Sequence, residues 1–316
     1  LFYKIMSPLE PQPTTFPNPF LRYFAATRPA FLSAALVSCL LGLASAHYSG
    51  LGLQPSLAVV TVLFALVAHA GANVLNDYYD ALNGTDAVNT ERVFPFTGGS
   101  RFIQNGVLSA AQTARFGFVL MGLVALAGVW LMLQSALALA YIGAAGLLIG
   151  WTYSAPPLRL NSRGWGELCI TVGFLLIVIG ADFVQRKGFA LMPIVVGLPY
   201  ALLATNLLYI NQFPDRRADI QAGKLHWVAR LELHHARWGY LLIALTANAF
   251  LGYGVMSGAL PKLALCALLA LPLSLKAFAV LHRHAAQPQQ LAPAIPLTIA
   301  AMLLHGVILI GVLFIH

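Results

Sequence analysis

Apolar residues fall into long continuous runs broken by short polar connections, without the period-two alternation of half-buried strands. A bilayer core of about 30 Å takes roughly 20 such residues in a helix. Nine stretches come near that length, at about 29–47, 55–75, 114–134, 136–153, 167–184, 190–212, 239–257, 261–281 and 291–314. Continuous runs predict helices rather than barrel strands. Residues 1–20 carry Pro8, Pro11, Pro13, Pro17 and Pro19 and no apolar core of signal-peptide length. They read as a loose tail, with Met6 a candidate start, ahead of a single nine-helix domain over 21–316.

Composition narrows the class. Of 316 residues 59% are hydrophobic and 9% charged, where a soluble domain has about 25% charged. Mean hydropathy is +0.78. A soluble protein, a disordered chain and a nucleic-acid binder are thereby excluded, and the net charge of +8 asks for no partner beyond an anionic substrate and the lipid bilayer. Cys39, Cys169 and Cys266 sit in apolar runs without metal-ligand or disulfide spacing. Of the 18 Lys and Arg, all but Arg186, Lys187 and Lys262 fall on one side of the nine-span topology, Lys4 among them. The positive-inside rule makes that side cytoplasmic, with the N-terminus in and the C-terminus out.

The acids are sparse and clustered. Asn73-Val-Leu-Asn76-Asp77-Tyr78-Tyr79-Asp80 closes the second span and runs on through Gly84 to Asp86; Asn211-Gln-Phe-Pro-Asp215-Arg216-Arg217-Ala-Asp219 closes the sixth. On a helix Asp77 and Asp80 lie about 60° apart and Asp215 and Asp219 about 40° apart, so each pair shares a face. Gly84 is expected to end the first helix and put Asp86 on a loop. Like charges so close need a positive partner, and a hard divalent cation with oxygen ligands fits. Two pairs on one side of the membrane would cradle a metal-bridged diphosphate, with Arg and Lys on the remaining phosphate oxygens. The plainer account is that these are solvated loop charges paired with Arg216 and Arg217.

At these residues the sequence resembles the UbiA-type intramembrane prenyltransferases, which join an NDxxD motif after the second helix to a DxxxD motif after the sixth on nine helices. The matches are Asn76-Asp77-Tyr-Tyr-Asp80 and Asp215-Arg-Arg-Ala-Asp219, flanked by Asn73, Tyr153-Ser-Ala-Pro-Pro-Leu-Arg159 and Arg163-Gly-Trp-Gly-Glu167. The resemblance implies an all-α membrane bundle with a polar pocket facing the cytoplasm and open sideways to lipid. It implies that Mg²⁺ bridges the aspartates and an isoprenyl diphosphate, that the C–O bond ionises, and that an electron-rich aromatic carbon captures the allylic cation.

Carried over, Asp77, Asp80, Asp215 and Asp219 are the metal and catalytic candidates, and Tyr153 and Arg159 would flank the departing diphosphate. Asn73, Asn76, Asn211, Lys224 and Arg28 are substrate-binding candidates, and Tyr209, with Phe213 and Tyr78, would offer an aromatic face to the cation.

Gly84 stands where many members have a third aspartate. That form, with Phe96-Thr-Gly98-Gly99-Ser-Arg101-Phe-Ile-Gln104, resembles the branch acting on 1,4-dihydroxy-2-naphthoate in menaquinone synthesis, with Arg101 meeting an acceptor carboxylate or a phosphate. The setting this implies is the bacterial inner membrane. Another acceptor such as 4-hydroxybenzoate fits the same motifs, and an ion-coupled transporter is the alternative of a different class. After Lys224 the family continues with a Thr-rich basic stretch, whereas this chain reads Leu225-His226-Trp227-Val-Ala-Arg230-Leu-Glu232-Leu-His234-His235, a segment placed to cap the site. His69 and His305 are expected to be hydrogen-bonded core residues.

Overall fold

The computed structural model describes residues 9–316; Lys4, Met6 and Pro8, named above, lie outside the described residues. Among the described residues the chain is helical, with no strand. The helices are α1 (Pro19–Ala26), α2 (Leu32–Tyr48), α3 (Pro55–Asn83), α4 (Thr85–Val88), α5 (Ala110–Gln134), α6 (Leu139–Thr152), α7 (Gly166–Arg186), α8 (Met192–Gln221), α9 (Trp227–Arg230), α10 (Leu233–Met256), α11 (Leu271–His284), α12 (Pro288–Leu291) and α13 (Ala294–Ile315). Eight candidate spans among the described residues are long and apolar enough to cross a membrane. The fourth expected span, 136–153, contains the 14-residue helix α6, only about 21 Å long. The eighth enters as a 3₁₀ helix, Lys262–Ala270, before α11.

The helix ends follow local rules. α3 runs past the apolar stretch and stops where Gly84, at φ 81°, takes the left-handed conformation that a Cβ disfavours. Ser109 opens α5 with a reciprocal capping box to Gln112. Pro214 sits inside α8, one residue before Asp215.

Packing pairs α3 with α5, α2 with α7, and α8 with α7, α10 and α13. The main core gathers Tyr200, Ile210, Tyr240, Met302 and Leu309 around α8. Small residues let backbones close in, as membrane helices require: a Cβ at Gly42 would stand 2.2 Å from the Val178 carbonyl oxygen.

Residues 9–20 are docked rather than loose. Phe16 packs against Phe102 at 5.3 Å between centroids, within a buried cluster that includes Val107 and Leu108. Glu10 accepts hydrogen bonds from Arg92 Nε at 2.6 Å and Asn105 Nδ2 at 3.2 Å. The prolines restrict this segment's unfolded freedom, and one buried phenyl ring with a charged anchor suffices to seat it.

Candidate functional site

The first motif lies at the end of α3. Asp77 and Asp80 are 4% and 6% exposed. Asp77 Oδ1 accepts the Ser100 N–H at 3.2 Å. Asp80 Oδ2 accepts from Asn76 Nδ2 at 3.2 Å and from Lys224 Nζ at 3.2 Å, and Oδ1 from Asn83 at 3.3 Å. Asn76 also donates to Ser154 Oγ at 2.9 Å, tying α3 to the connection after α6.

The second motif ends α8. Asp215 Oδ1 accepts from Asn89 Nδ2 at 2.6 Å and Oδ2 from the Gly98 N–H at 3.3 Å. Gly98 and Ser100 thus aim alternate backbone N–H groups at aspartates of different motifs, so the 96–101 segment stitches the two together. Asp219 is 3% exposed; its Oδ2 lies 2.8 Å from His226 Nε2 and its Oδ1 3.7 Å from Lys224 Nζ. Arg216 and Arg217 do not neutralise these acids. Arg216 donates to the Val228 carbonyl at 2.9 Å, and Arg217 pairs with Glu91 at 2.5 Å.

Electrostatics follow from crowding in a dry place. Burial alone would lower the Lys224 ammonium, but Asp219 and Asp80 overcome it and hold it well above the ordinary lysine value. Burial and the Asp80 and Asp77 carboxylates push the Asp86 carboxyl well above the usual range. Asp86 also fills the space over Gly99, where a Cβ would come within 2.4 Å of its Oδ2.

Beside the aspartates a cavity of about 420 Å³ runs along α3 from Asn76 to Thr61, a length of about 22 Å. Arg28, Asn73, Asn76, Tyr153 and Asn211 line it together with apolar residues of α3, α5, α6 and α7. Arg28 lies 4.7 Å from the Phe31 ring centroid and donates to the Phe96 carbonyl at 3.3 Å; Asn211 donates to the same oxygen at 3.4 Å. Asn73 holds the Thr27 carbonyl at 3.0 Å.

Some expected residues lie elsewhere. Tyr209 does not line the cavity: it is buried and its hydroxyl donates to the Ala236 carbonyl at 2.7 Å, making it a packing residue between α8 and α10. Arg101, at φ 67°, is buried and turned to the Asp86 carbonyl and to Glu10, 3.8 Å away, rather than into the cavity. Arg159 is exposed on the connection after α6, with no side-chain hydrogen bond or ion pair among the described residues. His69 lines the cavity with Nδ1 buried and without a hydrogen-bond partner, and His305 is fully buried beside the Ala267 backbone.

Asn89, Ser100 and His226 were not singled out as site residues from sequence, and Gly98 was marked only, with Gly99, as a glycine pair that lets the backbone come close to a ligand. For the two backbone donors no side-chain signal exists. His226 carried one, its departure from the family's Thr-rich stretch.

Among the described residues no three His, Cys, Asp or Glu side chains already stand as a metal cage. The donor set nevertheless suits a hard divalent ion: four carboxylates, with Asp219 Oδ1 buried and lacking a hydrogen-bond partner. The Lys224 ammonium lies between Asp80 and Asp219, within 3.7 Å of each, as the positive charge there.

Comparison with known proteins gives the family and the fold. The protein-family model of the UbiA prenyltransferase family matches residues 35–307. The chain is 31% identical over 216 residues to "UbiA prenyltransferase domain-containing protein 1" of Xenopus tropicalis, a match covering 66% of this chain and 59% of that protein. It is 26% identical over 302 residues to the 1,4-dihydroxy-2-naphthoate octaprenyltransferase of Haemophilus influenzae, covering 92% of this chain and 95% of that one. Among solved structures, a UbiA homolog from Archaeoglobus fulgidus bound to DMAPP and Mg²⁺ shares the fold. Its TM-score is 0.61 at 16% identity, over 92% of this chain and 99% of that one.

Proposed function

The chain belongs to the UbiA prenyltransferase family, and on that premise we propose that it transfers a polyprenyl group from an isoprenyl diphosphate to an aromatic acceptor in the membrane, with 1,4-dihydroxy-2-naphthoate as the acceptor. Its apolar helices and its family make it an integral multi-pass membrane protein. We orient it with the aspartates toward the cytoplasm, on the distribution of Lys and Arg.

One observation carries the reading. Two aspartate motifs from α3 and α8 are drawn together by Lys224 and by the 98–100 backbone, beside a long apolar cavity. A diphosphate belongs among the charged groups and an isoprenoid tail along the apolar wall. Asp77, Asp80, Asp215 and Asp219 would hold Mg²⁺, which supplies, when bound, positive charge against the leaving diphosphate.

The remaining work is done by the chain's own groups. Lys224, between the aspartates, and Arg28, on the cavity wall, are the cations available to phosphate oxygens. Tyr153 at the cavity wall flanks the carbon–oxygen bond that breaks. Apolar walls keep water from the allylic carbon, so that the aromatic carbon captures it and the acceptor gives up a proton or its carboxyl group. The naphthoate acceptor is supported by the relative from Haemophilus influenzae, which matches over nearly its whole length.

The test is a transfer assay on the purified chain in lipid with Mg²⁺, labelled farnesyl diphosphate, and a panel headed by 1,4-dihydroxy-2-naphthoate and 4-hydroxybenzoate. A prenylated naphthalene product that disappears with EDTA is the expected result. Turnover with 4-hydroxybenzoate alone would replace the acceptor. Ion flux without any diphosphate release would replace the enzyme by a transporter.

A further inference from the structure

The segment 225–238 is the part of the conspicuous sequence that the proposed chemistry leaves unused. Its second residue is His226, 1% exposed, which precedes the short helix α9. Both ring nitrogens are engaged. Nδ1 accepts the Ala229 N–H at 3.2 Å and caps α9. A nitrogen that accepts carries no proton, so the neutral ring has its proton on Nε2, and Nε2 faces Asp219 Oδ2 at 2.8 Å. The other carboxylate oxygen, Oδ1, is then left toward Lys224, buried and without a hydrogen-bond partner.

The ring's position is itself built. Arg216, inside the second motif, donates from Nε to the Val228 carbonyl at 2.9 Å and from Nη2 to the Leu231 carbonyl at 3.2 Å, clamping α9 onto the end of α8. The Leu225 N–H donates to the Ser162 carbonyl at 2.9 Å, fixing the approach from the other side. A buried imidazole held at both edges is a rigid donor, and a carboxylate anchored through one oxygen presents the other in one orientation.

We propose that His226 is a positioning residue of the aspartate site: its Nε2–H pins Asp219 Oδ2, so that Oδ1 stays turned toward Lys224 and Asp80 as a ligand for the divalent ion. The proposal rests on the prenyltransferase reading and extends it to a segment that reading leaves without a role. Outer partners that orient metal-binding side chains set metal affinity by about 10- to 100-fold. Here the outer partner comes from the connection that covers the site, which couples the seating of that connection to the readiness of Asp219.

Two substitutions separate orientation from folding. In His226→Asn the side-chain oxygen replaces Nδ1 and keeps the cap on α9, while nothing reaches Asp219. In His226→Gln the amide nitrogen falls where Nε2 was and restores the donor. Binding of Mn²⁺ to the full chain in detergent, read from its paramagnetic resonance signal with and without inorganic pyrophosphate, measures the site without turnover.

His226→Asn is expected to stay folded, with a metal-free thermal midpoint somewhat below wild type for the lost buried hydrogen bond, and to bind Mn²⁺ at least about 10-fold more weakly, and His226→Gln to recover most of the lost affinity. Wild-type affinity in His226→Asn, or no recovery in His226→Gln, would overturn the role. Failure of the unsubstituted protein to bind Mn²⁺ even with pyrophosphate would instead bring down the reading of the site on which the role depends.

Discussion

Asp80 and Asp219, carried on helices distant in sequence, share one ammonium: Lys224 Nζ lies 3.2 Å from Asp80 Oδ2 and 3.7 Å from Asp219 Oδ1. Three charged side chains in a buried place leave a net negative centre, and Asp77 and Asp215 are the further carboxylates beside it. Such a centre is unstable by itself and suited to take up cationic charge together with the diphosphate it escorts.

Lys224→Met removes the shared counter-charge. Breaking a buried pair from one side costs about 3 kcal/mol, so the metal-free variant should melt well below wild type. Mg²⁺ with pyrophosphate should then raise its midpoint by more than it raises that of wild type, because the ion relieves a repulsion wild type does not suffer. Equal shifts in the two proteins would mean that the aspartates do not bind the ion.

Asp77→Asn keeps an oxygen for the Ser100 N–H and removes one negative charge. The variant should fold as wild type does and lose about 100-fold or more in kcat, the order found when one group stabilising transition-state charge is deleted. Turnover at a fixed saturating prenyl diphosphate, with a thermal midpoint as the folding control, measures both.

Tyr209→Phe tests the packing role. The hydroxyl's bond to the Ala236 carbonyl is worth about 1 kcal/mol, which should appear as a small drop in midpoint with kcat and KM unchanged. A large fall in kcat at unchanged stability would put the ring back beside the reacting carbon.

Glu10→Gln tests the docking of the N-terminal segment and carries a pH signature. Burial alone would raise the Glu10 carboxyl, but the Asn105 amide and the Arg92 and Arg101 guanidiniums overcome it and hold it below its ordinary value of 4.5. A depressed acid contributes stability above that ordinary value and loses it as pH falls through the folded one. Wild type should therefore out-melt Glu10→Gln at neutral pH, and the gap should close below pH 4.5. A gap independent of pH would show that the carboxylate's charge is not what seats the segment.

How much of this was legible before folding differs from residue to residue. The spacing of Asp77 with Asp80 and of Asp215 with Asp219 is a property of the helix repeat, and so is Asn73 one turn before Asp77. Gly84 as the end of α3 follows from its missing Cβ. Tyr209 was misread because periodicity says which residues share a face, and not whether that face meets a cavity or another helix. Arg101 was misread because its partner, Glu10, comes from a segment whose composition suggests no structure at all.

His226 stood out as a departure from a familiar pattern, yet its partner was unknowable until the connection folded back onto α8. Asn89 and the Gly98 and Ser100 N–H groups were silent for the same reason. What the sequence by itself determined is short-range: apolar runs long enough for a bilayer, helix ends, and acid pairs on common faces, because each depends on neighbours within a few turns. The tertiary structure alone decided which helix ends meet, which oxygen of Asp219 is pinned and where the cavity opens. Those outcomes depend on the mutual packing of surfaces far apart in the chain, and no local repeat encodes them.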